Sequence, residues 1–215
     1  MKSFISEDDI EQSICNRLSQ LEYGWERIEC NPKVAAQDDV STTGRGSSAE
    51  CILPEVFLNA LKRMNPQIDI EVLKQIVHDF RRDYTATDMV DTNYKFYNQI
   101  RNGIKVKVKK NGKEDFDIVR LIDFNNVDNN DFHCVNQMWI KGRFRYRRPD
   151  ILLFVNGLPV VFIELKNSTV KVEESYNKNL VSYRKDIPNI FALNQICVLS
   201  NGLQTKLGAW NAGYE

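Results

Sequence analysis

The chain has 215 residues, with 29 lysines plus arginines balanced by 29 aspartates plus glutamates, 42% hydrophobic residues and five cysteines. That length suits one domain with a sizeable core, and the charge balance excludes a globally basic protein, so any nucleic-acid contact must come from local charge. No apolar run reaches the roughly 18 residues of a membrane span, and Met1-Lys2-Ser3-Phe4 runs into Glu7-Asp8-Asp9 without a secretory signal. The scattered cysteines (Cys15, Cys30, Cys51, Cys134, Cys197) include no Cys-x-x-Cys pair, which indicates neither a disulfide framework nor a zinc site and fits a reduced cytoplasm.

The reading is of a single α/β domain over residues 1–215, with 1–99 mainly helical and 100–215 forming the sheet core. Ser6 and Asp9 make a capping box for a first helix whose apolar stripe is Ile10, Ile14, Leu18 and Leu21, with Glu11 at its edge. A loop rich in Ser, Thr and Gly (Ser41 to Ser48) follows and is expected to move freely. Two more helices are predicted, about Glu55 to Met64 and Ile70 to Arg82, split by Asn65-Pro66 and capped by Asp69. His78 belongs on a helix surface and stands far from His133, so no histidine mechanism is indicated.

Lys105, Lys107 and Lys109 alternate with Ile104, Val106 and Val108, turn at Asn111-Gly112 and return through Phe116 to Ile122, which predicts a hairpin. Its lysines are assigned to solubility and edge protection. A denser basic run follows: Lys141, Arg143, Arg145, Arg147 and Arg148, interleaved with Phe144 and Tyr146. In an extended segment Arg143, Arg145 and Arg147 share one face. This run is either a phosphate rail or a solvated loop whose cations offset nearby acids, and the DNA role is favoured.

Ile151 to Val155 and Val160 to Ile163 are apolar without alternation, as strands in the centre of a covered sheet are. Asp150 opens this hairpin and Glu164-Leu165-Lys166 closes it. Two carboxylates can hold a divalent cation while the lysine polarises a water against a phosphate; the competing reading is of ordinary strand-end charges. Glu164 and Lys166 share a face. A strict two-residue turn at Asn156-Gly157 would pair Asp150 with Ile163 and turn Glu164 away. The metal chemistry therefore predicts a three-residue bulged turn or an equivalent bulge elsewhere in the hairpin.

Beyond Lys166 a helix is expected from about Val172 to Lys185, with Leu180, Tyr183 and Tyr176 inward, then Pro188 and a buried strand from Ala192 to Leu199, in a parallel crossover. Asn179 and Tyr183, four apart, stack on one helical face, within reach of the metal site or a DNA phosphate. No Gly-x4-Gly-Lys-Ser/Thr phosphate loop occurs.

Leu121-Ile122-Asp123-Phe124, Asn136-Gln137, Arg147-Arg148-Pro149-Asp150, Asn156-Gly157-Leu158-Pro159, Glu164-Leu165-Lys166 and Leu199-Ser200-Asn201-Gly202, in this order, closely resemble the N-terminal nuclease region of type I restriction enzyme R (HsdR) subunits. The resemblance implies a restriction-endonuclease-like PD-(D/E)xK core with a mixed sheet flanked by helices. It implies ATP-dependent cleavage of double-stranded DNA, in an assembly with modification and specificity subunits. By that resemblance Asp150 and Glu164 are the metal-binding acids, for Mg2+ or Mn2+, and Lys166 is the catalytic lysine. Glu11 is the first-helix acid, and Tyr183 ends a Gln-x-x-x-Tyr motif whose glutamine is here Asn179. ATP would act through motor domains outside these residues. A stand-alone repair or junction nuclease of the same superfamily is the alternative. A docking or DNA-binding module with a decayed site is disfavoured by the intact Asp, Glu and Lys.

Overall fold

The computed structural model describes residues 4–30, 40–82, 84, 88–110 and 113–214. The amino-terminal half supplies helices α1 (Glu7–Ser19), α2 (Val40–Thr43), α3 (Pro54–Met64), α4 (Ile70–Phe80) and α5 (Met89–Asn102), with one strand, β1 (Glu26–Glu29). Ser6 and Asp9 cap α1 reciprocally, and Asp69 caps α4, as the sequence predicts. Neither β1 nor α5 is marked by the apolar periodicity. β1 has three charged residues around a single apolar one, Ile28, and only Phe96 of α5 is buried.

Next come β2 (Ile104–Lys110) and β3 (Lys113–Val119), then β4 (Phe132–Asn136), β5 (Ile140–Lys141), β6 (Tyr146–Arg147), β7 (Ile151–Val155) and β8 (Leu158–Leu165). A broken helix follows, made of α6 (Val172–Glu174), a π-helical segment (Ser175–Leu180) and α7 (Val181–Asp186). The chain ends with α8 (Pro188–Leu193), β9 (Ile196–Ser200) and β10 (Thr205–Gly208). The stretch read as one strand from Ala192 thus divides. Pro188 starts a helix instead of merely ending one, because its fixed φ suits a first helical turn, and the strand begins only at Ile196.

The main sheet has six strands in the order β1-β4-β7-β8-β9-β10. The β1–β4 and β8–β9 pairs are parallel and the other pairs antiparallel, so the sheet is mixed. Strand alternation divides the interior in two. Val135, Leu152, Phe154, Phe162, Cys197 and Leu199 face a large core shared with α3, α4, α5 and α8. Cys134, Ile151, Leu153, Ile163 and Leu165 face α1 through Ile10 and Cys15. Helices on both sides explain why β7, and β8 as far as Ile163, are apolar on both faces.

Two outlying segments differ from their sequence readings. β2 and β3 form a separate two-stranded sheet, and β3 stops at Val119; the Asn111-Gly112 turn lies outside the described residues. Residues 120–131 form a loop organised by Asp123, which accepts from Asn125, Asn126 and Asn129, and by the buried Asn156 amide, which donates to Leu121 O and Asn130 Oδ1. The Ser41–Ser48 segment, expected to move freely, is pinned. Buried Arg45 donates to Glu50 O at 2.9 Å and to Trp139 O at 3.0 Å, and Lys141 N–H donates to Ser48 O at 2.9 Å. Among the described residues no helix is long and apolar enough to cross a membrane.

Candidate active site

The register of β7 and β8 decides whether a site exists. Val155 pairs with Leu158 and Phe154 with Pro159, so the turn has only two residues; Asn156 (φ 52°) and Gly157 (φ 78°) both occupy left-handed conformations, as a type I′ turn requires. The three-residue turn is therefore not used. One step later the register shifts, Leu153 pairs with Val161, and Val160 is the bulged residue. The Val160 carbonyl accepts from Gln195 N–H at 2.9 Å and from the buried Asn194 amide at 3.2 Å. Beyond the bulge Ile151 pairs with Ile163, and carrying the register one step further sets Asp150 directly opposite Glu164. The two carboxylates leave the same face of the sheet, from positions whose Cα atoms are about 5 Å apart in such pairing.

Each acid is held differently. Asp150 Oδ2 accepts the Leu165 N–H at 2.6 Å and Oδ1 faces Gln137 Nε2 at 3.4 Å. Glu164 is 1% exposed; its Oε1 accepts from Lys166 Nζ at 3.3 Å and from Asn179 Nδ2, while its buried Oε2 has no donor aligned on it among the described residues. Burial pushes both carboxyls well above the usual carboxylate range. The Asp150 charge raises Glu164 further, against the pull of Lys166. The Leu165 N–H and Lys166 partly offset the shift at Asp150.

Lys166 is positioned from both ends. Its Nζ donates to Leu165 O at 2.7 Å and lies 3.8 Å from Glu7 Oε1, and its backbone N–H donates to Ser200 O at 2.9 Å. The following loop is tied to the start of α1 and the residues before it, by Ser168 N–H on Ile5 O and Asn167 N–H on Glu7 Oε1. Asn179 sits in the π segment and Tyr183 in α7, so the plain α-helical stacking expected of them is replaced by a widened turn, a feature frequent at functional positions. Both still face the sheet. Asn179 reaches Glu164 despite its short amide; Tyr183 packs edge-on against Phe162 and its hydroxyl donates to Arg148 O at 3.3 Å. Burial, and then the charges of Glu164 and Asp150, raise the Tyr183 pKa.

Glu11 is buried rather than flanking its helix. Both its oxygens are taken up by amides: Oε1 accepts from Asn136 Nδ2 at 2.7 Å and Oε2 from Gln137 Nε2 at 2.5 Å. Sequence reasoning assigned no role to Gln137, Asn194 or the Val160 bulge; Asn136-Gln137, two amides ending a buried strand, was the available signal.

The arginines are not a rail along one extended face. β5 and β6 form a short hairpin closed by Gly142 N–H on Arg145 O at 2.8 Å, which leaves Arg143 and Arg145 exposed near its tip. Arg147 is diverted to Asp186, donating from Nε at 2.7 Å, and Arg148 packs over the Trp139 ring at 5.2 Å. Gly142 is needed here, because a Cβ would fall 1.6 Å from Asp186 O.

An all-oxygen pair with one undonated buried oxygen fits a hard divalent cation. Among the described residues no group of three or more His, Cys, Asp and Glu side chains is gathered into a preformed metal cage. A cation here would thus keep water or phosphate ligands, as Mg2+ usually does.

Two facing carboxylates and a lysine lie at the rim of a central hairpin, in a mixed sheet with helices on both faces, so the chain is an α/β domain with an acidic candidate site. The profile of the type I restriction enzyme R protein N terminus matches residues 4–215, and the chain belongs to this family. It is 32% identical over 215 residues to the type I restriction enzyme HindI endonuclease subunit of Haemophilus influenzae, a match covering 98% of this chain and 20% of that relative. It is 26% identical over 205 residues to the type I restriction enzyme SauCOLORF180P endonuclease subunit of Staphylococcus aureus, covering 95% of this chain and 19% of the relative. The chain thus spans about a fifth of these relatives' length.

Proposed function

We propose that this chain is the DNA-cleaving unit of a type I restriction R subunit, with a restriction-endonuclease-like core that hydrolyses phosphodiester bonds of double-stranded DNA. The observation that carries the reading is the Val160 bulge, which sets Asp150 opposite the buried Glu164 with Lys166 on the same edge. Asp150 and Glu164 would hold Mg2+ or Mn2+. When bound, such a cation supplies Lewis-acid polarisation of the phosphate and neutralises developing charge.

The rest of the work falls to the chain's own groups. Lys166, fixed by Leu165 O and Glu164, orients the attacking water and balances charge on the phosphate. Asn179 holds Glu164 in place, and Tyr183 closes the wall behind both acids. Exposed Arg143 and Arg145 are the residues available for backbone phosphates. ATP consumption, and assembly with modification and specificity subunits, belong to the larger protein in this reading.

The test is Lys166→Ala in a reconstituted full-length complex. Cleavage should fall about a hundred- to a thousandfold, the loss of roughly 2.7–4 kcal/mol seen when one charge-stabilising group is removed from such sites. ATP hydrolysis and translocation should be spared. A parallel fall in ATP turnover would give Lys166 a structural or coupling role, and retained cleavage would place the active site elsewhere.

A further inference from the structure

Among the described residues two non-glycine residues have positive φ, Gln137 (55°) and Asn156 (52°). The hairpin turn accounts for Asn156. Gln137 directly follows β4, where a left-handed residue is not required by any two-residue turn, and such backbone persists only where surroundings hold it. What holds it is the site. Its N–H donates to Asp150 O at 2.9 Å, and its side-chain amide lies between Glu11 Oε2 at 2.5 Å and Asp150 Oδ1 at 3.4 Å.

Glu11 and Asp150 approach this amide from different sides. Glu11 comes from α1, which packs on the Ile151 and Ile163 face of the sheet, whereas Asp150 and Glu164 follow the alternation of Leu152 and Phe162. Both Glu11 oxygens already accept amide hydrogens, in contrast to Glu164 Oε2. An acid so occupied is an anchor for its donors, in the way that outer hydrogen bonds orient metal-binding carboxylates.

We infer that Gln137 is a positioning residue: its amide, anchored on Glu11, steers the Asp150 carboxylate toward Glu164, so that Glu11 acts on the site through Gln137 and not as a ligand of the cation. This rests on the reading of Asp150 and Glu164 as the cation-binding pair. It makes the end of β4 and helix α1 parts of the site's frame, and gives the first-helix acid a defined task.

Calorimetric titration of this chain with Mn2+ tests it, run on wild type, Asp150→Ala, Gln137→Leu, Gln137→Gly, Glu11→Ala and Glu11→Gln, with the fold of each checked by circular dichroism. Gln137→Gly removes the side chain, amide included, while keeping the left-handed backbone easy, so it stands in if the leucine variant fails to fold. Both Gln137 variants and Glu11→Ala should bind Mn2+ about ten- to a hundredfold more weakly. Glu11→Gln keeps an acceptor oxygen for the Gln137 amide and gives up only the Asn136 contact, so it should lose clearly less affinity than Glu11→Ala, a partial rescue that direct ligation by Glu11 would not permit. Wild-type affinity in Gln137→Gly would overturn the inference, as would a Glu11→Gln loss matching that of Asp150→Ala. Equal binding by wild type and Asp150→Ala would instead remove the underlying metal reading.

Discussion

Two hairpins of this chain carry the same Asn-Gly turn signal and end in opposite physical situations. β2–β3 alternates lysine with Ile and Val, stands apart as two strands, and keeps Lys105, Lys107 and Lys109 in water, with Lys105 over the Phe116 ring at 4.2 Å. β7–β8 lies at the centre of the six-stranded sheet, apolar on both faces, and carries its charges only at the rim. Exposed charge is cheap and does little beyond keeping the hairpin soluble. At the central hairpin the carboxylates are drawn out of water, their pKa values rise, and a counter-charge has something to gain by binding. The difference teaches that burial, more than charge count, turns a strand end into a site.

The strongest way to break the comparison is at the central turn. A Cβ on Gly157 would lie 2.6 Å from Leu53 O at a φ of +78°. Gly157→Ala should therefore lower stability by about 2–4 kcal/mol, combining overpacking with left-handed strain, read from the urea midpoint. A shift under about 0.5 kcal/mol would mean that the turn is not clamped against α3.

An intermediate effect is expected at the basic β5–β6 tip, which shares exposure with the lysine hairpin but sits beside the site. The double variant Arg143→Ala and Arg145→Ala should weaken duplex binding alike for unrelated sequences and flatten the salt dependence by roughly one slope unit per lost contact. An unchanged slope would reduce these arginines to solvating charge. The smallest effect belongs to Lys107→Ala on the outlying hairpin. It should change stability by no more than about 0.5 kcal/mol and leave Mn2+ binding alone. A larger loss in either measurement would show that the two hairpins are not independent.

Much of this was legible from residues alone. Capping chemistry at Ser6 and Asp69, the doubly apolar β7 and β8, and the spacing of Asp150, Glu164 and Lys166 are local signals; the structure has both caps and the buried hairpin, and it brings the two acids and the lysine to one rim. The demand for a bulge was legible too, but not its position, because Val160 is bulged by donors from Asn194 and Gln195, which sequence distance hides. The π segment carries no local signature, so the route by which Asn179 reaches Glu164 could not be read. Arg147 was misread for a similar reason. Its partner Asp186 lies 39 residues away, and an ion pair formed on folding removed it from the exposed basic run. β1 escaped notice because a short strand completed by neighbours needs little apolar pattern of its own.

We propose that the facing carboxylates at the rim of the β7–β8 hairpin hold a divalent cation. Calorimetric titration of Mn2+ into wild type and Asp150→Ala tests it most directly. Saturable binding to the wild-type chain and its loss in the variant are expected, since half of the oxygen pair is then gone. Equal binding by the two proteins would contradict it.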